Sequence, residues 1–335
     1  MTTIKDIAKK SGYSIGTVSR VINNHKDVSD EARRIIEKVI EEENFQPNMN
    51  ARNLKQAYGK SIVILVVGHG NLFFADLVEM IQEELERNEE ETVVVYVDEK
   101  SNQVVEALHI IAERKPKGMI FLGGNLNYFK DKFENIKIPC VLLTNQAETL
   151  NFDNLSSFYT DDAEGAKKAI SYLVENGHKN ICVIGGSKEA SQATNRRLEG
   201  CVEVLKKAKI NFIESKQYIE TRYSMKDGYE GCKKLMKDNP DTTAIFALSD
   251  SIAIGVIRCL KDIGKNVPED VSLIGYDGIS SGQYNTPRLT TIKQDTKAIA
   301  KRGVENLLLR LNSKYNAVHE VIPFTFLKGE TVRKI

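Results

Sequence analysis

The chain has 335 residues, of which 41% are hydrophobic and 28% are charged, and its formal net charge is +1. This length exceeds one ordinary domain, so we expect two or three folding units with full apolar cores. Residues 1–60 carry 11 Lys or Arg and 8 Asp or Glu, whereas the remainder is slightly acidic. The near-neutral total excludes a polycation, and the basic first segment indicates nucleic-acid contact at one end only.

The cysteines and the apolar runs predict a cytoplasmic protein. No Cys-x-x-Cys spacing occurs, and an odd, scattered set of thiols is typical of buried, reduced cysteines. The N-terminus lacks the apolar core of a signal peptide, and the longest apolar run, 62–67, is too short to span a membrane. No metal-ligand or catalytic spacing is recognisable, so we expect neither a metal nor a cofactor. The cysteines are Cys140, Cys182, Cys201, Cys232 and Cys259.

Apolar residues at helical spacing predict two short helices near the N-terminus. The first presents an apolar face that includes Ile7, and Gly12 can adopt the left-handed conformation that ends it. Ser14 can cap the second helix, whose inner face includes Val18 and Val21. Two short helices joined by a tight turn are typical of a helix-turn-helix.

A third helix is predicted from Ser29 onward, with acidic residues near the positive end of its dipole. Its predicted core face consists of Ile35, Ile36, Val39 and Ile40. Residues 1–46 are therefore predicted to form an all-α helix-turn-helix DNA-binding head.

The outward face of the second predicted helix carries groups that suit DNA contact. Arg20 can make a bidentate hydrogen bond to guanine O6 and N7 in the major groove. Hydroxyl and amide side chains on this helix can bind phosphates, and Ile15 can touch a thymine methyl group. The alternative is an ordinary solvent-exposed helix face. The candidate contacts are Ser14, Ile15, Gly16, Thr17, Ser19, Arg20 and Asn23.

Pro47 separates the head from a predicted linker over residues 47–60. Asn48 can cap a helix of about two turns up to Gln56, and a helix that short is marginal in water because nucleation is costly. We expect it to order only against a partner and DNA. Leu54 is apolar in an otherwise polar segment. It can act as a minor-groove wedge that kinks the duplex, or it can pack on the protein's own core.

From Ser61 onward, apolar strands alternate with amphipathic helices. Strands are predicted at 62–67, 92–97, 118–122, 140–143, 180–184, 244–248, 271–275 and 321–326. Helices are predicted at 74–87, 103–113, 162–176, 196–208, 225–237, 251–263 and 296–312. Continuous apolar strands between helices indicate parallel sheets that are covered on both faces.

There are more predicted strands than one doubly wound sheet of usual size requires. We therefore predict an α/β core of two doubly wound subdomains, over residues 61–335, with strands that end at a shared cleft. The N-subdomain is predicted at about 61–160 and 290–318, and the C-subdomain at about 161–289 and 319–335.

Aromatic, cationic and acidic residues follow several predicted core strands, where ligands of doubly wound domains bind. Aromatic faces with an arginine and carboxylates suit a polyhydroxylated ligand, because carboxylates accept hydrogen bonds from hydroxyl groups. The alternatives are core packing for Phe74 and Tyr276 and helix capping for Asp250. The candidate ligand-binding residues are Phe73, Phe74, Arg197, Tyr223, Asp250, Tyr276 and Asp277.

Ordered motifs over nearly the whole chain closely resemble the LacI/GalR family of transcriptional regulators. The first 54 residues show Ile4-x-Asp6-Ile7-Ala8, Ser14-x-x-Thr17-Val18-Ser19-Arg20-Val21-Ile22-Asn23 and Phe45-x-Pro47-Asn48-x-x-Ala51-Arg52-x-Leu54. The core shows Asn71-Leu72-Phe73-Phe74, Gly177-His178-x-x-Ile181, Arg197-x-x-Gly200, Asp250-x-x-Ala253-x-Gly255, Gly275-Tyr276-Asp277 and Pro287-x-Leu289-Thr290-Thr291-Ile292-x-Gln294.

The resemblance implies a periplasmic-binding-protein-like core and a homodimer on a pseudo-palindromic DNA operator. It also implies that Arg20 reads bases and that Leu54 of each subunit inserts at the operator centre. Asn48 and Ala51, in the same motif as Leu54, join the candidate DNA contacts. One departure concerns the ligand, because Thr144-Asn145-Gln146 stands where an Asp-Arg pair is frequent in the family.

We therefore predict a sequence-specific DNA-binding transcriptional regulator, and more specifically a repressor. Its predicted effector is a sugar or sugar derivative that binds between the core subdomains and alters the pairing of the linker helices. A purine-type repressor that needs a corepressor stays open, because Tyr223 can stack on a base as well as on a sugar. A solute-binding protein is disfavoured by the DNA-binding head, and no catalytic constellation favours an enzyme.

Overall fold

The computed structural model describes residues 4–22, 28–43, 59–313 and 316–335. The chain divides into two units, Met1–Tyr58 and Gly59–Ile335. The described part of the smaller unit holds the helices α1 (Ile4–Ser11), α2 (Ile15–Ile22) and α3 (Asp30–Glu42). These helices share an apolar core formed by Ile7, Ala8, Val18, Val21 and Ile36.

The turn chemistry predicted for this three-helix unit is confirmed. Gly12 follows α1 with φ +76°, a left-handed conformation that favours glycine. Ser14 Oγ accepts a hydrogen bond from Thr17 N at 3.1 Å, and Ser29 Oγ accepts one from Ala32 N at 3.4 Å. Each cap satisfies an N–H group that has no partner inside its helix, so the two serines fix where α2 and α3 begin.

The predicted core face of α3 is wrong at one residue. Ile36 is fully buried and Val39 and Ile40 pack partly against the core, whereas Ile35 is 39% exposed. The buried face of α3 is centred on Ala32 and Ile36, so Ile35 lies at its solvent edge.

The larger unit contains two sheets, and all neighbouring strands of the first sheet pair in parallel. Its strands are β1 (Ile62–Val67), β2 (Thr92–Val97), β3 (Gly118–Leu122), β4 (Cys140–Leu143), β5 (Leu155–Tyr159) and β11 (His319–Val321). Their order across the sheet is β11-β5-β4-β3-β1-β2. We call this sheet and its helices the first lobe.

The second sheet has the same number of strands and one antiparallel edge. Its strands are β6 (Ile181–Gly185), β7 (Tyr218–Glu220), β8 (Ala244–Ala247), β9 (Ser272–Asp277), β10 (Thr290–Gln294) and β12 (Phe324–Leu327). Their order is β12-β10-β9-β8-β6-β7, and only the β10–β12 pair is antiparallel among the described strand pairs. We call this sheet and its helices the second lobe.

Helices cover both faces of both sheets, which confirms the predicted doubly wound architecture. In the first lobe, α4 (Leu72–Arg87) and α13 (Thr296–Asn312) pack on one face, and α5 (Gln103–Arg114) and α6 (Leu126–Lys132) pack on the other. In the second lobe, α7 (Asp162–Glu175) and α8 (Gln192–Lys207) oppose α10 (Met225–Asp238) and α11 (Asp250–Asp262). Short connections contain α9 (Glu214–Gln217), α12 (Ser280–Tyr284) and the 3₁₀ helices Phe133–Asn135 and Glu148–Leu150.

The chain crosses between the lobes three times, after β5, after β10 and after β11. These strands lie at or next to the same edge of each sheet, with β11 and β5 in the first lobe and β12 and β10 in the second. The opposite edges are formed by β2 and β7. The connections therefore lie at one end of the cleft, and the cleft opens at the end where β2 and β7 lie.

The predicted lobe boundaries differ from the structure at two places. The sequence predicts residues 290–318 in the N-subdomain, which corresponds to the first lobe. In the structure, Thr290–Gln294 is a strand of the second sheet. The predicted strand 321–326 is two strands in different sheets, because Pro323 lacks an N–H group and interrupts the pairing. The strands β5, β7 and β10 were missed because each is short or mixes polar with apolar residues.

The described residues hold no helix that is both long and apolar enough to cross a membrane. The same residues contain no cluster of three or more His, Cys, Asp or Glu side chains suited to a metal ion. All five cysteines are buried free thiols.

Candidate functional site

Loops that follow strands of both lobes line a pocket of about 90 Å³, which we call the inner pocket. Its first-lobe wall comes from the loops after β1, β2, β3 and β4, and its second-lobe wall from the loops after β6, β7 and β9. Ligands of open α/β sheets bind at this place because the carboxyl ends of parallel strands leave a crevice there.

Two phenyl rings form the aromatic part of the first-lobe wall. Asn71 Oδ1 caps α4 by accepting a hydrogen bond from Phe73 N at 3.1 Å, which fixes the start of the helix that carries Phe73 and Phe74. Phe73 is almost fully buried, and Phe74 is half-buried at the pocket. Gly123 has φ +72°, and a Cβ there would lie 2.8 Å from Phe74 Cζ. A side chain at 123 would strain the backbone and displace the Phe74 ring, so glycine lets this ring lie against the β3 loop.

A buried arginine anchors the second-lobe wall. Arg197, on α8, donates from Nε to Asp162 Oδ1 at 2.7 Å and from Nη1 to the Leu248 carbonyl oxygen at 2.5 Å. Its Nη1 also lies 3.5 Å from Asp277 Oδ1. The two carboxyl groups compensate a charge that burial would otherwise penalise strongly. The guanidinium group is therefore held in one orientation at the pocket.

Asp277 is the acidic group of this wall and has two unusual properties. Burial raises its pKa to about 7, although Arg197 and a hydrogen bond from Gln294 Nε2 at 2.9 Å oppose the rise. Its backbone φ is +110°, a conformation that is strained for a residue with a side chain. Thr144, on the opposite wall, has φ +75°. Backbone strain of this kind clusters at ligand-binding sites, where the surrounding structure enforces it.

Tyr223 adds a third aromatic ring to the pocket from the segment before α10. Its hydroxyl group hydrogen-bonds Thr194 Oγ1 at 2.7 Å. A Cβ at Gly186 would lie 2.3 Å from Tyr223 Cε2, so the ring packs directly on the backbone after β6. The ring position is fixed by these contacts before any ligand binds.

Asp250 and Tyr276 do not line the inner pocket, which corrects their predicted placement. Asp250 is fully buried and accepts hydrogen bonds from Gly278 N at 2.7 Å, Ile279 N at 2.9 Å and Thr291 Oγ1 at 2.6 Å. These bonds hold the turn that follows β9. Tyr276 is fully buried, and its ring lies 3.7 Å from the Arg197 guanidinium carbon. Asp250 and Tyr276 therefore pack beneath the residues that line the inner pocket and hold them in position.

The structure thus brings Phe73, Phe74, Arg197, Tyr223 and Asp277 to one pocket and adds residues that the sequence reading missed. The additions include Glu99, Thr144, Asn145, Ser187 and Ser191. Each lies in a loop after a strand, so the carboxyl-end rule could have found them. Glu99 is half-buried, and no described group donates a hydrogen bond to its carboxylate.

Direct hydrogen bonds join the lobes beside the pocket. Gln192 Nε2 donates to the Gln146 carbonyl oxygen at 3.1 Å, and Gln146 N donates to Gln192 Oε1 at 2.9 Å. Asn125 Nδ2 donates to the Glu189 carbonyl oxygen at 2.7 Å. The two lobes are therefore in contact across the cleft in this structure.

In the smaller unit, α2 presents an exposed face opposite its buried residues. Gly16 and Arg20 are exposed, and Thr17 is half-buried. The exposed Ser14 shares its hydroxyl group with Thr17 Oγ1 at 2.9 Å while it caps the helix. Ile15 and Ser19 belong to α2. Asn23, Asn48, Ala51, Leu54 and the predicted linker helix lie outside the described residues.

The smaller unit is a three-helix helix-turn-helix, and the larger unit is a two-lobed α/β core with a polar and aromatic cleft. This combination defines a ligand-responsive DNA-binding protein. Residues 3–48 match the family model of bacterial regulatory proteins of the lacI family, and residues 170–332 match the periplasmic binding protein-like domain. Both matches agree with the division of the chain into a helical unit and an α/β unit.

Known proteins resemble the chain over almost its full length. It is 36% identical over 322 residues to the HTH-type transcriptional regulator MalR of Clostridium butyricum, covering 95% of this chain and 96% of that protein. It is 30% identical over 313 residues to the ribose operon repressor of Haemophilus influenzae, covering 93% of each. The structure of the lac repressor dimer bound to operator and the anti-inducer ONPF matches 99% of each chain, with a TM-score of 0.72 at 24% identity. The chain belongs to the lacI family of bacterial regulatory proteins, and it is a transcriptional regulator.

Proposed function

We propose that this regulator is a repressor that binds operator DNA as a homodimer and is controlled by a sugar or sugar derivative in the inner pocket. The observation that carries the proposal is the convergence of three aromatic rings, a buried arginine and a carboxyl group on one cleft. The protein acts by binding rather than by catalysis, and it acts in the cytoplasm, where DNA is accessible.

The chemistry of the walls supports a polyhydroxylated ligand. The apolar face of a sugar ring packs on aromatic side chains, and its hydroxyl groups need acceptors and donors at fixed positions. Phe74 and Tyr223 supply faces, Asp277 and Asn145 supply oxygens, and the Arg197 guanidinium supplies N–H donors. Because Arg197 is already paired with two carboxyl groups, it suits hydroxyl groups better than a phosphate.

The two-lobed arrangement supports control by ligand. A ligand in the inner pocket contacts both lobes at once, so its affinity depends on how they are oriented. It shifts the equilibrium between orientations only by its differential affinity, typically about 1–3 kcal/mol of coupling. We propose that this shift alters the pairing of the segment that contains Asn48, Ala51 and Leu54 in the two subunits.

DNA reading is proposed for the exposed face of α2. Arg20 there reads a guanine in the major groove, and Gly16 and Thr17 lie against the DNA. Ser14, Ile15, Ser19 and Asn23 complete the proposed contacts with phosphates and bases. The named regulators that resemble the chain support this part of the proposal.

The test combines a thermal shift assay with an operator-binding assay on the purified full chain. A sugar present at 100 times its Kd stabilises the protein by about 2.7 kcal/mol, and the same sugar is expected to release operator DNA. Phe74→Ala removes a half-buried pocket ring and should abolish the shift. Tyr284→Ala, at a ring that is 88% exposed and lines no part of the pocket, is the matched control.

Two results would contradict the proposal. A purine that stabilises the protein and strengthens operator binding would instead establish a corepressor mechanism. Arg20→Ala should weaken specific DNA binding by about 1–3 kcal/mol and relax the preference at one base pair. Unchanged selectivity at every base pair would show that Arg20 does not read the operator.

A further inference from the structure

A second and larger cavity lies at the mouth of the cleft, and we call it the outer cavity. Its volume is about 720 Å³, and Glu99, Ser187 and Ala190 line both it and the inner pocket. The inner pocket, at about 90 Å³, is smaller than the roughly 300–1,000 Å³ of most small-molecule sites. A ligand anchored in the inner pocket therefore has room to extend in one direction, past Glu99.

The topology places the outer cavity at the open end of the cleft. Its walls come from the segments after β2 and β3 in the first lobe and after β6 and β7 in the second. The strands β2 and β7 are the edges opposite the three crossovers. The outer cavity therefore lies at the carboxyl ends of the same two sheets as the inner pocket, but nearer to the solvent.

The outer cavity carries the side chains of a sugar subsite. Tyr128 is a half-buried aromatic residue on α6. In the opposite lobe, Thr221 Oγ1 donates to the Gly185 carbonyl oxygen at 3.2 Å and can still accept a hydrogen bond from a ligand. Asn125 is held by its hydrogen bond to the Glu189 carbonyl oxygen, and its own carbonyl oxygen accepts from Gln103 Nε2 at 2.8 Å. The backbone beside Tyr128 is therefore fixed by bonds to α5 and to the second lobe.

The outer cavity is lined by more carboxylates than cations. Four carboxylates line it against two cations; they are Glu99, Glu189, Glu220 and Asp227, facing Lys100 and Arg222. Arg222 Nη1 already lies 3.9 Å from Asp98 Oδ2, so part of its charge is compensated. A phosphorylated or acidic sugar would meet net repulsion here, whereas a neutral sugar would meet hydroxyl acceptors.

Glu99 stands at the junction of the two cavities. It is half-buried, and burial and the neighbouring Asp98 and Asp227 raise its pKa against the opposing effect of Arg222 and His69. Among the described residues, no group donates a hydrogen bond to its carboxylate. A ligand hydroxyl group at this point can donate to the Glu99 carboxylate, which is accessible from both cavities.

We propose that the outer cavity is a second sugar subsite and that the effector is a neutral saccharide of at least two rings. One ring lies in the inner pocket, the next lies against Tyr128, and the linkage between them passes Glu99. The inference rests on the proposed function in one respect, namely that the inner pocket binds a sugar ring.

The test is isothermal titration of the full chain with maltose, cellobiose, lactose, sucrose and trehalose, and with glucose, galactose, fructose and ribose. At least one disaccharide should bind ten or more times tighter than the monosaccharides that compose it. Trehalose 6-phosphate, the anionic probe, should bind more weakly than trehalose. Tyr128→Ala should weaken the preferred disaccharide at least tenfold and change monosaccharide binding less than twofold, while Tyr284→Ala changes neither.

The outcomes separate this inference from the function on which it rests. A monosaccharide that binds as tightly as every disaccharide containing it, and releases operator DNA, overturns the second subsite and leaves the proposed function standing. A disaccharide preference that survives Tyr128→Ala overturns the assignment to the outer cavity. Tighter binding of trehalose 6-phosphate overturns the selection for neutral ligands. Failure of all these sugars to bind overturns the sugar class and the inference together.

Discussion

The two lobes build their walls of the inner pocket in different ways. In the second lobe, Arg197 donates a hydrogen bond to Asp162 and lies beside Asp277. Gln294 also donates a hydrogen bond to Asp277. These polar groups are therefore paired before any ligand binds. The first lobe instead presents phenyl rings and the Glu99 carboxylate, to which no described group donates a hydrogen bond. The charged groups of the second-lobe wall are paired with one another, whereas the Glu99 carboxylate of the first-lobe wall has no such partner among the described residues.

This difference indicates a division of roles between the lobes. A wall that is already ordered loses little conformational entropy when it binds a ligand, so it contributes affinity at low cost. A wall with accessible aromatic faces and a carboxylate gains most from a ligand of matching shape. We therefore expect second-lobe substitutions to change stability strongly and first-lobe substitutions to change ligand preference instead.

The largest expected effect is that of Arg197→Met. The substitution leaves Asp162 and Asp277 buried without their cation, and breaking a buried pair in this way costs about 3–5 kcal/mol. Urea unfolding of both proteins at pH 7 measures the difference. The first-lobe counterpart Glu99→Gln should change the free energy of unfolding by less than about 1 kcal/mol. Equal losses in the two variants would contradict the division of roles.

A second prediction concerns the pH dependence of stability. The pKa of Asp277 is about 7 in the folded protein, whereas an unfolded aspartate titrates near about 3.9. The folded protein therefore holds this proton more tightly, and stability should fall as the pH rises from about 4 to about 7, by about 4 kcal/mol from this group. Above that range the contribution of Asp277 should be constant.

Comparison with Asp277→Asn isolates this group from the other titrating residues. Urea unfolding at pH 5, 6, 7 and 8 should show the stability of the unsubstituted protein declining relative to that of the variant up to about pH 7. Burial also raises the pKa of Glu99, but this side chain is half-buried, so Glu99→Gln should remove a smaller slope. Parallel curves for the protein and Asp277→Asn would show that Asp277 titrates near its ordinary pKa.

Much of the fold could be predicted because the central strands are continuous apolar runs between amphipathic helices. The strands β5, β7 and β10 could not, because each is short or mostly polar and its pairing depends on partners distant in the chain. Strand β7 has only three residues, and Ile292 is the one apolar residue of β10. The break at Pro323 is visible in the sequence, but the change of sheet that it permits is not.

The candidate site shows a similar limit. Phe73, Phe74 and Arg197 follow strands and reach the pocket as predicted by the carboxyl-end rule, although their roles stay predictions. For neighbours such as Tyr276 and Asp277, the sequence does not show which side chain faces the pocket and which packs behind it. Glu99 follows β2, so the carboxyl-end rule indicates its place at the cleft, but only the structure shows that it lies between the inner pocket and the outer cavity.

The smallest expected effect tests whether lobe contacts outside both walls contribute to ligand affinity. Gln192→Ala removes both hydrogen bonds to the Gln146 backbone, and two partly exposed bonds contribute about 1 kcal/mol to the closed arrangement. Ligand affinity should fall about fivefold, because a smaller fraction of the protein is in the binding-competent arrangement. The free energy of unfolding should change little, since Gln192 is the first residue of α8 and alanine is well tolerated in helices.

The measurement is isothermal titration with the sugar that stabilises the protein, and Gln192→Glu provides the matched variant. Glutamate keeps the acceptor for Gln146 N but places a carboxylate oxygen against the Gln146 carbonyl oxygen, so it should weaken ligand binding at least as much as alanine does. If the affinity is unchanged in both variants, the hydrogen bonds of Gln192 do not stabilise the closed arrangement of the lobes, and the ligand's own contacts stabilise it. In that case the second lobe would act as a fixed anchor, and closure by the first lobe would depend on contacts with the bound sugar alone.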